Sequence, residues 1–157
     1  MEGIEMNDQC EIEKREARPV LVMQTHVSVQ QLPQFLGRAF AAVIGHLGML
    51  GEAPAGAPFV AYHNMDMQNL EIDAGFPVAH EVAGAGEIKP GFIPGGDAAT
   101  CLHVGPYDQV GAAYEALTRF IAANGRKAKG VAYEFYLNDP TTVEPSKLET
   151  KVLFPLE

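Results

Sequence analysis

Positive charge is scarce in this chain. Eleven Lys and Arg stand against 20 Asp and Glu, a formal net charge of −9 over 157 residues. Binding to a phosphate backbone needs clustered basic side chains, so nucleic acid is disfavoured as a direct partner. Serine is scarcer still: Ser28 and Ser146 are the only two, and no Gly-x-Ser-x-Gly nucleophile turn exists. Two cysteines, Cys10 and Cys101, make no disulfide framework and read as reduced thiols of a cytoplasmic protein. The five histidines, His26, His46, His63, His80 and His103, lack the close spacing of a zinc motif, so neither a metal nor another cofactor is expected. "AGAGEIKPG" has glycines but not the Lys-Ser/Thr ending of a phosphate loop. The longest nearly apolar stretch, "AFAAVIGHLGMLG", is broken by glycines and too short to span a bilayer. The opening "MEGIEMNDQCEIEKREAR" is acidic and has no apolar run, unlike a signal peptide.

Hydrophobic residues make up 47% of the chain, enough for a real core, and the length suits one domain over 1–157. Inside it a faint repeat relates residues about 9–80 to 97–156. "THV" with His26 answers "LHV" with His103, and Gly48 answers Gly125, both at an offset of 77. "VAYHNMD" answers "YEFYLND" at 73, and "LEIDAGFPV" answers "LETKVLFPL" at 78, with Phe76-Pro77 and Phe154-Pro155 the firmest point.

Each half reads as strand, helix, strand, strand. Leu32, Phe35, Leu36, Ala39, Phe40, Val43, Ile44 and Leu47 recur at helical spacing after "EARPVLVMQTHV". Ser28 and Gln31 match a capping box, Pro33 suits the first turn, and Gly48 is read as the residue that ends the helix. In the second half "AATCLHVG" is the strand. Val110, Ala113, Tyr114, Leu117, Phe120 and Ile121 form the helical stripe, and Asn124-Gly125 closes it. "EVAGAGEIKPGFIPGG" is a Gly/Pro-rich connection with a short strand near Glu87 to Ile93. The expected class is α+β: two such units related by a pseudo-two-fold axis, forming a curved antiparallel sheet with both helices on one face and a ligand groove on the other.

The candidate site is in "YEFYLNDP", an aromatic strand with an acid in its middle. The offset of 73 sets Glu134 opposite Ala61, Tyr136 opposite His63 and Tyr133 opposite Val60. Alternation puts Glu134, Tyr136 and Asn138 on one face and Tyr133, Phe135 and Leu137 on the other. The apolar set is expected to face the helices, and the Glu134 set the groove. A desolvated carboxylate among rings suits a delocalised organic cation. The plain alternative is a solvated Glu134 paired across the sheet with Lys151.

"HVGPYDQVGAAYEAL", "YEFYLNDP" and the terminal "LETKVLFPL" together resemble the GyrI-like family, small-molecule-binding domains also found as BmrR-like effector domains of AraC- and MerR-type transcription regulators. The resemblance covers about Gln9 to Leu156. It implies a duplicated strand-helix-strand-strand fold and an aromatic-lined cavity. In that cavity a central Glu, matched by Glu134, engages lipophilic cations. The ligand-binding candidates are then Glu134, Tyr136, Tyr107, His63, Phe76 and Tyr114. Tyr114 also fits the helix core, Phe76 also fits packing like its duplicate Phe154, and His103 fits a packing role at the strand end. Some stand-alone members are similar to hydrolases of cyclopropanoid electrophiles, which implies Glu134 as general base and Tyr107 as proton donor. A third implied role is a protein-interaction module that inhibits a partner such as gyrase. Fewer than 20 residues precede the first strand, so the expectation is a lone sensor or scavenger without a DNA-reading domain. Ligand identity and oligomeric state are not legible.

Overall fold

The computed structural model describes Gln9 to Glu157; the expectations made for the first eight residues lie outside it. The strands are β1 (Gln9–Arg15), β2 (Arg18–Val27), β3 (Phe59–Tyr62), β4 (Leu70–Pro77), β5 (Lys89–Ile93), β6 (Gly96–Val104), β7 (Ala132–Tyr136) and β8 (Glu149–Pro155). The helices are α1 (Leu32–Met49) and α2 (Gly111–Ala123). Every strand pairing described here is antiparallel, and the class is α+β as expected. Among the described residues no helix is long and apolar enough to cross a membrane.

The described residues divide into two compact units, 16–95 and a second made of 96–157 with 9–15. In the first, strands run β3-β4-β2-β5 and α1 packs on β2 and β4. Phe35, Ala39, Val43 and Leu47 are the buried stripe of α1, and Val43 and Leu47 meet Leu21, Phe76 and Val78. Ser28 and Gln31 make the reciprocal bonds of the capping box, at 3.3 and 3.4 Å, and Pro33 sits in the first turn. In the second unit, strands run β1-β6-β8-β7. Ala113, Leu117 and Ile121 of α2 pack on Ala99, Cys101 and Val152.

β1 joins the unit of the second half, and β5, from the Gly/Pro-rich connection, joins that of the first. β1 pairs with β6, and β5 pairs with β2. β1 is a correction: "QCEIEKR" reads as an acidic lead, yet its alternation puts Cys10 and Ile12 against the α2 cluster and leaves Glu11, Glu13 and Arg15 on the other face. Cys10 and Cys101 are direct cross-strand partners and are not disulfide-bonded.

Register overturns three of the expected repeat matches. β4 and β8 keep the offset of 78, Phe76 answering Phe154. Val60 pairs with Ala74 as Glu134 pairs with Val152, and Tyr62 pairs with Ile72 as Tyr136 pairs with Thr150. The third strands therefore match at 74, not 73: the counterpart of Glu134 is Val60, and that of Tyr136 is Tyr62. Thr25 pairs with Ile72 as His103 pairs with Thr150, so the counterpart of His103 is Thr25, not His26. Gly48 is not the helix stop. Gly51, at φ +71°, answers Gly125, at φ +68°. The two ends close with the same paired bonds: Glu52 N to Leu47 O at 2.9 Å and Gly51 N to Gly48 O at 3.1 Å in one, Arg126 N to Ile121 O at 3.1 Å and Gly125 N to Ala122 O at 3.0 Å in the other.

Candidate functional site

Glu134 lies in the middle of β7, directly opposite Val152 of β8. Cross-strand partners point to the same face of a sheet, and Val152 belongs to the α2 core cluster. Glu134 therefore points to the α2 side of its sheet. This reverses the expected facing: Tyr133 and Phe135 take the other face, their rings near-parallel at 6.4 Å. Lys151 pairs with Phe135 on that other face and bonds Glu13 at 3.3 Å. The plain reading of Glu134 as a solvated partner of Lys151 is thereby overturned.

Glu134 is buried, at 8% exposure. Both its oxygens are held by phenols: the Tyr114 hydroxyl donates to Oε2 at 2.5 Å and the Tyr136 hydroxyl to Oε1 at 2.9 Å. Tyr114 comes from α2, one position past the buried Ala113, and its ring packs edge-on to Phe154 at 5.6 Å. Tyr136 comes from the same strand as Glu134, two residues on, where the pleat brings both side chains to one face. Tyr107 sits in the 3₁₀ turn Tyr107–Gln109 before α2 and packs edge-on to Tyr136 at 5.5 Å.

Burial pushes the Glu134 carboxyl above the usual carboxylate range. The hydroxyls of Tyr114 and Tyr136, and then the charge of His103, pull it part of the way back. The Tyr107 phenol is also raised, by its own burial and by the nearby Asp139 carboxylate. His103 is buried, and its Nε2 donates to Pro106 O at 3.2 Å, holding the turn that leads into Tyr107. Among the described residues, no group of three or more His, Cys, Asp or Glu side chains is placed to hold a metal ion.

The structure thus gathers four of the six candidates, Glu134, Tyr114, Tyr136 and Tyr107, in one unit. Tyr107 reaches the acid only through Tyr136, so the phenol in direct contact from outside the strand is Tyr114. His63 and Phe76 belong to the other unit. His63 bonds Asp73 at 2.9 Å, and Asp73 pairs with Ala61 on the face of that sheet turned away from α1. Phe76 is part of the α1 core and meets Phe40 edge-on at 5.7 Å.

That Phe40–Phe76 contact is the duplicate of Tyr114–Phe154, since Phe40 stands 74 residues before Tyr114 as Val60 does before Glu134. Ala39/Ala113, Val43/Leu117 and Leu47/Ile121, the buried positions shared by the two helices, keep the same spacing. One unit holds an apolar Phe40 and Val60 where the other holds a bonded Tyr114 and Glu134. Sequence reasoning missed Tyr114 as the partner of the acid because its ring falls on the apolar stripe. The signal was available in the phenylalanine that occupies the corresponding helical position of the first half.

The fold recurs among known structures. EcmrR in its DNA complex superimposes with a TM-score of 0.81 at 21% identity, covering 97% of this chain and 58% of that one. This chain therefore spans under two thirds of that protein. The isolated EcmrR C-terminal domain gives 0.79 at 21% identity, with 96% and 98% covered. A hydrolase from Listeria innocua gives 0.67 at 16%, with 95% and 92% covered. SAV2435 bound to tetraphenylphosphonium gives 0.68 at 11%, with 95% and 94% covered. No curated protein matches the sequence.

Residues 8–157 match the GyrI-like small molecule binding domain family, and the chain belongs to that family.

Proposed function

We propose that this domain binds lipophilic organic cations at Glu134. The observation that carries the reading is a buried carboxylate whose two oxygens are both anchored by tyrosines, while its counterpart in the duplicate is the fully buried Val60. An acid desolvated in this way is costly unless something repays it. A cation with diffuse charge does so without demanding hydrogen-bond acceptors, and the electron-rich faces of Tyr107, Tyr114, Tyr136 and Phe154 attract it further. Hydroxyl bonds from Tyr114 and Tyr136 fix the carboxylate plane, so little rotamer entropy remains to be lost on binding. The relative bound to tetraphenylphosphonium shares this fold and supports the choice of ligand class.

Titration of tetraphenylphosphonium against the wild type and Glu134→Gln tests the reading. The expected loss is roughly ten- to hundredfold in affinity, the range for a desolvated cation deprived of its counter-charge. Equal affinity in the two proteins would remove Glu134 from the site.

A second reading is favoured by the direct Tyr114–Glu134 bond. A raised carboxyl touching a phenol is a base-and-acid pair suited to adding water to an electrophile, and a hydrolase stands among the structural neighbours. In this reading Glu134 takes a proton from water, and Tyr114, rather than Tyr107, supplies one to the leaving or opening group. Turnover of a strained electrophile, lost in both Glu134→Gln and Tyr114→Phe, is the result it requires.

A further inference from the structure

On the α2 side of the second unit's sheet, three residues lie in one cross-strand row: His103 of β6, Thr150 of β8 and Tyr136 of β7. The next row holds Cys101, Val152 and Glu134. Thr150 is thus the diagonal neighbour of Glu134, on the same face. Its side chain is completely buried, at 0% exposure, and its Oγ1 has no hydrogen-bond partner. A desolvated hydroxyl without a partner is a penalty that valine, with the same shape, would avoid.

The duplicate shows what the position looks like when packing alone decides. The counterpart of Thr150 is Ile72, fully buried and apolar. Polar groups at Phe40/Tyr114, Val60/Glu134 and Ile72/Thr150 all fall in the second unit and on one face. The hydroxyl therefore belongs to the same departure from the repeat as the carboxylate.

We infer that Thr150 is a ligand-contacting residue of the Glu134 site, and that the ligand carries a hydrogen-bonding group beside its cationic centre. The inference rests on the reading of Glu134 as the cation's counter-charge. Diagonal neighbours on paired strands lie about 7–8 Å apart, which sets the reach required between the charge and the polar atom. The ligand class is then a lipophilic cation with a hydroxyl, carbonyl or similar group on one of its arms. Tyr136, directly opposite Thr150, is only half-buried, and the ligand competes for the carboxylate that its hydroxyl bonds. In this reading the Tyr136 ring gives way to the ligand and Oγ1 becomes accessible to it.

The test uses two matched probes, triphenylphosphonium cations bearing a fourth ring with either a 4-hydroxymethyl or a 4-ethyl group. The wild type is expected to prefer the hydroxymethyl probe by roughly five- to tenfold, the worth of one hydrogen bond. Thr150→Val is expected to erase that preference, and Thr150→Ser to retain it. Thr150→Val is also expected to melt a few degrees higher than the free wild type, because a buried unpaired hydroxyl is gone. Absence of the preference in the wild type, its survival in Thr150→Val, or a lower melting temperature for that variant would each overturn the inference. In those cases Glu134-dependent binding of the ethyl probe leaves the cation reading standing. If neither probe binds, both fall.

Discussion

At the scale of single residues, the site is a contest over one proton. Burial raises the carboxyl of Glu134, so in the proposed reading a proton and a cationic ligand compete for it. Cation affinity is expected to fall as pH drops through that raised value, and the fall should vanish in Glu134→Gln. Calorimetric titrations at stepped pH read this directly. Tyr114→Phe removes a hydroxyl that lowers the Glu134 value, so the acid limb of the binding profile should move to higher pH. The variant is compatible with the fold, since Phe40 occupies the matching position of the first half. Stability carries the opposite sign. A carboxyl raised in the folded state contributes stability that is complete below its unfolded value and is lost as pH rises through the folded value. Glu134→Gln should therefore melt higher than the wild type at neutral pH, with the gain shrinking as pH falls toward the ordinary carboxylate range. A melting series across pH checks that slope.

At the scale of elements, the helix ends separate the two ways of aligning the repeat. Gly51 and Gly125 hold left-handed backbone where a side chain is strained, so alanine at either should cost about 1 kcal/mol. Gly48 is inside α1 with open space around it, so Gly48→Ala should instead gain roughly 0.5–1 kcal/mol. Urea melts of the three variants decide between them. The same elements show what the sequence made legible. Helical spacing located both stripes, the capping box at Ser28 and Gln31 formed, and the Gly/Pro-rich connection held its short strand. The face of Glu134 was not legible, because alternation separates the two faces of a strand without saying which one meets the helix, and the more apolar set, Tyr133 and Phe135, was assigned to it. Matching Asp66 with Asp139 by identity separately slipped the repeat by one residue. β1 was missed because four of its seven residues, Glu11, Glu13, Lys14 and Arg15, are charged, which reads as a solvated tail until Cys10 and Ile12 are seen against α2. Thr150 and Tyr114 carried no local mark; only a correct alignment of the halves exposes them as polar exceptions.

For the molecule as a whole, the net charge of −9 and the exchanged strands set behaviour that no single residue controls. The acidic surface should attract cationic ligands over distances that salt screens. Their association rate should therefore fall as ionic strength rises from about 0.01 to 0.15 M. Stopped-flow measurements on Glu134→Gln should show the same salt slope with faster release. Deleting the chain through Arg15 strips the partner from β6 and uncovers part of the cluster around Ala99 and Cys101. Light scattering should then show concentration-dependent association through the bared edge, with a lower melting temperature.

The traded strands also bear on ancestry. One half made as a free polypeptide would carry a leading segment with nothing of its own to lie against, and a second strand left open along one side. Two identical copies would satisfy each other by swapping those leaders. A swapped homodimer of single halves is the arrangement these pairings would match. In one chain the two halves need no longer be identical, so Tyr114 and Glu134 can stand in one where Phe40 and Val60 stand in the other.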